Sequence, residues 1–256
     1  MFAEIHHDSL ILRAFLEIPT GALAVCTDSA QPLDSGLFRL EGEVAFDMLP
    51  NSPSPRTASS PILRRYSRNG SPLLMIHSKP RLEMGYEAHG LAYGIRLLGH
   101  SGIGSLLLVD RVHHVDVEPE DEDSLFLVDD HVNFMGSNPL VGPNHEAWGP
   151  RFPDMSLPFD PELTAIVALA AERAGCSVRK AVYAGFHPEH LTDAGKRINH
   201  MRKAGASLAG SSLVHEVIVA RHMGIRVSAL AYPFRRRGEL PDAVLAAVLD
   251  ELSGTS

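Results

Sequence analysis

The most informative stretch of this chain reads DHVNFMGSNPLVGPN over residues 130–144 and WGPRFPDM over residues 148–155. Its content of Gly, Pro and Asn disfavours both helix and strand, and it is longer than most connections between secondary-structure elements. Loops of this length inside compact domains are usually functional or disordered, and Phe, Met and Trp side chains can anchor this one. Residues 130–155, hereafter the signature segment, are therefore predicted to form an ordered loop with a function.

The composition is that of a globular protein with a large core. The chain has 256 residues, of which 45% are hydrophobic and 21% charged, so we expect a single domain over residues 1–256. Lys and Arg number 23 against 31 Asp and Glu, which gives a formal net charge of −8. This balance argues against nucleic acid or an anionic membrane as the main partner.

The first residues do not show the charged segment followed by an apolar segment that is typical of a secretion signal. No apolar run approaches the roughly 20 residues that are needed to span a bilayer. Its two cysteines, Cys26 and Cys176, are too few for a disulfide scaffold of this size. We therefore expect a soluble, cytoplasmic protein with reduced cysteines.

The 14 histidines raise the question of a metal site. The best candidates are the pairs His113-His114 and His187-x-x-His190. Pro188 interrupts the helix that would bring the second pair to one face, and no third ligand has suitable spacing. No metal site is expected.

Hydrophobic patterns predict alternating strands and helices. In the first half they indicate strands over Ala22–Cys26, Leu73–His77 and Ser105–Asp110, and a helix over Tyr86–Leu98. The polar turn Thr27–Ser29 then lies at the carboxyl end of the first strand. The stretch Asn51–Gly70 has no periodic apolar face and is predicted to be irregular surface, and the acidic run 118–123 is predicted to be a solvated loop.

The second half carries explicit helix caps. Asp160 and Pro161 are suited to the N-cap and first position of a helix through Ala174, which Gly175 would end. The remaining predictions are strands over Val178–Tyr183 and Ile225–Tyr232, and helices over Asp193–Ala204, Leu213–Met223 and Pro241–Leu252. This alternation predicts an α/β fold, a three-layer α/β/α sandwich around a mixed, largely parallel sheet, with ligands beyond the carboxyl ends of the strands.

The signature segment closely resembles that of the trimeric purine nucleoside phosphorylases, in which a strand ending Asp-His-Ile-Asn leads into Asn-Pro-Leu-x-Gly-Pro-Asn and Gly-x-Arg-Phe-Pro-x-Met. A second match aligns the family's Gly-Met-Ser-Thr-Val-Pro-Glu-Val-Ile-Val-Ala-Arg-His with GSSLVHEVIVARH at residues 210–222. The resemblance covers roughly Leu73–Val227. It implies the nucleoside phosphorylase fold, a homotrimer, and a pentosyltransferase that cleaves a purine nucleoside with phosphate as co-substrate and no metal or bound cofactor.

The same resemblance implies the base site. Glu189, in YAGFHPE at residues 183–189, matches the family's glutamate that accepts the N1–H of a 6-oxopurine. A carboxylate suits this task because it only accepts hydrogen bonds and is left unpaired by the wrong base. Arg235 follows the last predicted strand, where the family has an Asn that hydrogen-bonds purine N7. Glu189 and Arg235 are the predicted catalytic residues; the alternative for Glu189 is an exposed loop carboxylate.

The phosphate side is predicted from three places. Ser211 and Ser212 precede a helix whose N-terminus favours an anion, and by resemblance Ser212 contacts phosphate and Ser211 lies under the ribose. Lys79 and Arg81 match the family's phosphate-binding Arg and His, and Ser29 lies where the family has a Gly-Ser-Gly loop. The alternatives are a helix cap without a ligand for Ser212 and a solvated face for Lys79 and Arg81.

Several positions depart from the family pattern. Asp28 adds a negative charge to the loop that should approach phosphate. Asp110-Arg111 replace the first residues of an Asn-Ala-Ala-Gly loop that floors the base and sugar, so Asp110 is predicted to line the substrate site. Glu216 matches the family but is expected to form an internal salt link. These changes leave a second function open, a catalytically weak or silent homologue that binds a ligand or serves as a structural or regulatory partner; nucleoside hydrolysis is a third.

Trp148 is the only tryptophan in the chain. By resemblance an aromatic residue at this position reaches into the sugar pocket of a neighbouring subunit, which places Trp148 among the predicted substrate-binding residues. The alternative is an anchor for the loop at a subunit or intramolecular interface.

Overall fold

The computed structural model describes residues 1–53, 60–114, 124–187, 200–234 and 240–254. Within these ranges the helices are α1 (Phe2–Leu16), α2 (Ala88–His100), α3 (Pro161–Arg173), α4 (Leu213–His222) and α5 (Asp242–Ser253). The strands are β1 (Leu23–Thr27), β2 (Arg39–Ala45), β3 (Ile62–Arg68), β4 (Ser71–His77), β5 (Ser105–His114), β6 (Leu125–Phe134), β7 (Val178–Phe186), β8 (Leu208–Gly210) and β9 (Arg226–Pro233).

All described strands join one mixed sheet in the order β2-β3-β4-β1-β5-β8-β7-β6-β9. Strand β9 also pairs with β5, so the second half of the sheet closes on itself while β1 to β4 extend from it. Strand β1 is parallel to both β4 and β5, so the carboxyl ends of these three strands share one edge. The short strand β8 runs antiparallel to the end of β5, and the helix that follows it therefore begins over that edge.

Helices cover both faces of the sheet. Helices α1, α2 and α4 pack on one face, where Leu12, Leu97 and Val217 belong to one buried cluster. Helices α3 and α5 pack on the other face through a second cluster that includes Val167 and Val248. The predicted α/β sandwich with a mixed sheet is confirmed. No helix in the described residues has the length and apolar composition needed to cross a bilayer.

The predicted caps are present. The Asp160 carboxylate accepts a hydrogen bond from the Leu163 N–H at 2.8 Å, and Pro161 occupies the start of α3. Gly175 has a φ of +78° directly after this helix, as a left-handed C-terminal residue should. The strands and helices predicted from apolar runs are present wherever the structure describes them, with ends that differ by up to three residues, except that β5 continues four residues beyond Asp110 to His114.

The prediction of an irregular surface over residues 51–70 is wrong for its second part, because β3 occupies Ile62–Arg68 and pairs with β2 and β4. Only Leu63 and Tyr66 of this strand are fully buried, and its arginines pair with acids from other elements. Arg64 pairs with Glu43 at 2.9 Å, and Arg68 pairs with Asp250 at 2.7 Å. Charged residues that pair across strands or between elements do not give the alternating apolar pattern from which a strand is predicted.

Several predictions lie outside the described residues. They are the acidic run 118–123, the first part of the helix predicted over 193–204, and the predicted catalytic residues Glu189 and Arg235. Residues 200–203 are helical, and Gly205 follows them with a φ of +76°.

Candidate active site

A buried lysine lies where the carboxyl ends of β1, β4 and β5 meet the start of α4. Lys79 is two residues beyond β4, and its backbone N–H donates to the Thr27 carbonyl at 3.0 Å, which fixes it beside β1. Its side chain is fully buried, with Nζ 3.0 Å from Glu216 Oε2 and 3.4 Å from Asp110 Oδ1. A cation without a partner is strongly disfavoured in a core, so these two carboxylates allow Lys79 to remain charged there.

Asp110, on β5, also accepts hydrogen bonds from two hydroxyls. The Tyr183 hydroxyl donates to Oδ2 at 2.8 Å, and the Ser212 hydroxyl donates to Oδ1 at 3.0 Å. Tyr183 can approach because residue 210 is glycine: a Cβ on Gly210 would lie 2.1 Å from the tyrosine oxygen. Burial and then the charge of Asp110 raise the pKa of the Tyr183 hydroxyl, and the backbone N–H groups of Ser212 and Leu213 at the start of α4 oppose this rise. The Lys79 cluster is defined as Lys79, Asp110, Tyr183, Ser212 and Glu216.

Burial and the neighbouring charges have opposing effects on the pKa values of Lys79 and Glu216 in this cluster. Burial lowers the pKa of Lys79, but the carboxylates of Asp110 and Glu216 outweigh it, so the pKa of the ammonium is raised above its usual value. Burial raises the pKa of Glu216, and Asp110 adds to the rise while Lys79 opposes it. Lys79 is therefore charged at neutral pH, and its charge is already shared between two acids.

A third carboxylate, Asp28, adjoins the cluster. Its side chain is 5% exposed, its nearest ion-pair partner is Arg81 Nη1 at 3.9 Å, and its Oδ1 is buried without a hydrogen bond. Burial and then the charge of Asp110 raise the pKa of Asp28 to about 6, against the opposing effects of Lys79, Arg81 and Arg111. The negative charge that the sequence places in this loop is therefore poorly compensated.

Replacing Asp28 by asparagine is expected to stabilise the protein above about pH 6 and to have little effect near pH 4. The folded state holds its proton up to about pH 6, whereas the unfolded carboxyl loses it near 3.8, so wild-type stability falls as the pH rises through this window. At pH 8 the variant should gain about 1–3 kcal/mol. Guanidinium unfolding at pH 4, 6 and 8 measures this, and an equal effect of Asp28→Asn at all three values would contradict it.

The other predicted phosphate-side residues are nearby but less enclosed. Ser29 lines a cavity of about 270 Å³ together with Thr27 and Tyr232, near the small end of ligand-sized pockets. Arg81 is about one-third exposed, and Ser211 is buried in front of α4. The alternative that Lys79 coats a solvated face is wrong, because the lysine lies in the core.

Arg111 turns away from the Lys79 cluster. Its Nη2 donates to the Phe234 carbonyl at 3.4 Å, and its guanidinium lies 5.7 Å from the Tyr232 ring centre. The guanidinium thus occupies space beside the end of β9. Arg235, which follows there, is outside the described residues, as is Glu189, so the roles predicted for both rest on the sequence.

The histidine pair on β5 that was considered as a metal-ligand candidate packs against aromatic rings. His113 packs against Phe234 and His114 packs against Phe126, with ring centres 4.7 and 4.4 Å apart. Among the residues that the structure describes, no three His, Cys, Asp or Glu side chains are grouped so that they could hold a metal ion.

The structure thus brings Lys79, Asp110 and Ser212 together and pairs them with one another, while their predicted contacts with substrate and phosphate remain predictions. The internal salt link expected for Glu216 is confirmed. Sequence reasoning missed Tyr183, and the only local signal was Gly210, whose missing side chain makes room for the tyrosine ring.

Trp148 is buried against its own subunit. Its indole Nε1 donates to His100 Nε2 at 2.5 Å, and the Arg96 guanidinium lies 3.9 Å from the ring centre. Phe2 packs against the same ring. This arrangement matches the alternative of an intramolecular anchor for the signature segment, and a contact with substrate remains a prediction.

The sequence of this chain is similar to those of a family of known proteins. The family model of the Phosphorylase superfamily matches residues 65–232. Purine nucleoside phosphorylase 1 of Bacillus subtilis is 35% identical over 144 residues, which are 56% of this chain and 52% of that protein. Purine nucleoside phosphorylase of Mus musculus is 32% identical over 167 residues, 62% of this chain and 56% of that protein. The chain spans about half the length of the curated relatives it matches.

Solved structures share the fold over nearly the whole chain. Purine nucleoside phosphorylase of Schistosoma mansoni, complexed with a monocyclic inhibitor, superposes with a TM-score of 0.79 and 21% identity, covering 99% of this chain and 96% of that one. The Schistosoma enzyme in complex with guanosine gives a TM-score of 0.79 at 20% identity, covering 97% and 96%.

Proposed function

The chain belongs to the phosphorylase superfamily, and from this membership we propose that it is a pentosyltransferase that cleaves the glycosidic bond of a purine nucleoside with phosphate. The observation that carries the proposal is the family match over residues 65–232, which contains the strands β4, β5, β7, β8 and β9 around the Lys79 cluster. A likeness in fold to a guanosine-bound relative is consistent with a purine nucleoside as substrate.

In the proposed reaction a phosphate oxygen forms a bond to C1′ of the ribose while the bond from C1′ to N9 of the purine breaks. The purine leaves with the electron pair and takes up a proton. Catalysis of this kind relies on positioning and on stabilisation of developing charge. We assign Glu189 and Arg235 to the base, Ser211 to the ribose, and Ser29, Lys79, Arg81 and Ser212 to the phosphate.

Activity is tested by incubating the pure protein with inosine, guanosine, xanthosine and adenosine, with and without phosphate, and measuring free base and ribose 1-phosphate. Glu189→Ala is expected to lower base release from the 6-oxopurine nucleosides by about tenfold or more, because their N1–H loses its acceptor. Glu172→Ala is the matched control, since Glu172 is an exposed carboxylate on α3. Base release that is unchanged by Glu189→Ala would remove Glu189 from the site.

One observation favours the second candidate function, a weak or silent homologue that binds a ligand or supports a partner. Lys79, the best-placed cation for phosphate, is already paired with Asp110 and Glu216. The same assay decides: no free base at high protein concentration, with Glu189→Ala behaving identically, would replace the first function by the second.

The proposal includes a homotrimer of single-domain subunits over residues 1–256, in the cytoplasm. Exposed apolar side chains on the signature segment support a subunit contact there, since Val141 and Phe152 are each 83% exposed. The two cysteines are both free, in keeping with a reducing compartment.

A further inference from the structure

Asp110 occupies a position that an oxyanion would be expected to take. Its two carboxylate oxygens accept hydrogen bonds from Ser212 and Tyr183 and lie beside the Lys79 ammonium at 3.4 Å. An ammonium and two hydroxyl donors around one anion form a complete binding site for a carboxylate.

The same groups are those that an incoming phosphate would need. The start of α4, a helix of ten residues, offers its N–H groups and its dipole to an anion. Here the Tyr183 hydroxyl and the Ser212 hydroxyl at the start of this helix both donate to Asp110. The two hydroxyls and the buried lysine are therefore all engaged by one internal carboxylate.

The surroundings of Asp110 add two further carboxylates. Glu216 takes the remaining side of Lys79 at 3.0 Å, and Asp28 lies on the facing loop with Oδ1 buried and unpartnered. Arg81 is the nearest further cation, yet it is partly exposed and lies 3.9 Å from Asp28. Among the described groups, three carboxylates therefore face one buried ammonium and two partly exposed guanidinium groups, those of Arg81 and Arg111.

We propose that Asp110 is a built-in oxyanion that fills the phosphate position of this site and sets its specificity against inorganic phosphate. The inference rests on the proposed function in one respect, the identification of this edge of the sheet as the phosphate side. Phosphate can enter only by displacing the Asp110 carboxylate or by binding beside it, and like charges at such distances disfavour both.

The test is calorimetric titration of inorganic phosphate into the wild-type protein and Asp110→Asn. The amide keeps the shape of the side chain and removes its charge, so phosphate should bind about tenfold more tightly or better. Glu216→Gln is the matched control: it takes an equal charge from Lys79 but leaves Asp110 in place, and it should change the affinity by less than about threefold. Asp110→Ser, which also frees the space, repeats the test if the amide variant does not fold.

Equal tightening in Asp110→Asn and Glu216→Gln would overturn the proposal, because net charge and not position would then govern binding. Unchanged phosphate affinity in a folded Asp110 variant would overturn it as well. Base release from inosine is measured on the same samples. Tighter phosphate binding in the Asp110 variants without base release would support this inference and refute the phosphorolysis. Base release with unchanged phosphate affinity in those variants would support the phosphorolysis and refute this inference.

Discussion

Replacing Lys79 by methionine is expected to lower the free energy of unfolding by about 3–5 kcal/mol at pH 8, because it leaves the carboxylates of Asp110 and Glu216 buried without a cation. The methionine fills a similar volume, so the loss reports charge more than packing. The effect should shrink as the pH is lowered toward 5, because burial and the charge of Asp110 raise the pKa of Glu216 and a protonated Glu216 no longer needs a cation. Guanidinium unfolding followed by circular dichroism at both pH values gives the numbers.

Lys180→Met is the control for this prediction. Lys180 also pairs with a carboxylate, Asp129 at 3.1 Å, but both side chains are more than half exposed. Exposed pairs of this kind contribute at most about 1 kcal/mol. If Lys79→Met cost no more than Lys180→Met at pH 8, the buried carboxylates would not depend on the lysine, and the electrostatic account of the cluster would be wrong.

Replacing Gly149 by alanine is expected to cost about 3 kcal/mol or more and to displace the signature segment. A Cβ at this position would lie 1.8 Å from the carbonyl oxygen of His222 at the end of α4. The obstacle is backbone, so no side-chain rotation relieves it. The φ of Gly149, +148°, is also one that residues with a side chain rarely adopt.

The control for this second change is Gly142→Ala in the same segment. Gly142 has a φ of +108° but no atom within 4 Å of an added Cβ, so only backbone strain is introduced. Trp148 reports the difference directly, because it is the only tryptophan and lies beside Gly149. Gly149→Ala should shift the tryptophan emission toward that of a solvated indole, while Gly142→Ala should not. Similar stability and emission for the two variants would show that the close approach to His222 is not required.

Much of the fold could be predicted because the relevant signals are local. The run Leu23–Thr27 is apolar enough to require burial on both faces, and Asp160 with Gly175 marks the two ends of α3. Strand β3 could not be predicted in this way. Its arginines are compensated by acids from β2 and α5, which the sequence alone does not place beside them.

Most residues of the candidate site could be predicted from the sequence, but the contacts between them could not. The end of a predicted strand supplied Asp110, the segment after another strand supplied Lys79, and the helix start supplied Ser212, all from positions that match family motifs. That Lys79 would be fully buried against Glu216, 137 residues away in the chain, was not visible. Tyr183 entered the cluster only because Gly210 lies next to it in space.

By itself, the sequence determined the α/β class, most strand and helix positions, the family and the identity of the charged residues at the strand ends. These follow from hydrophobic period, caps and motifs, each of which acts over a few neighbouring residues. Only the tertiary structure decided that Trp148 packs against Arg96 and His100 of its own chain, and that the Asp110 carboxylate pairs with Lys79, Tyr183 and Ser212. The ionisation state and the partners of a buried charged group depend on all the groups around it. Because those groups come from distant parts of the chain, local sequence patterns do not reveal them.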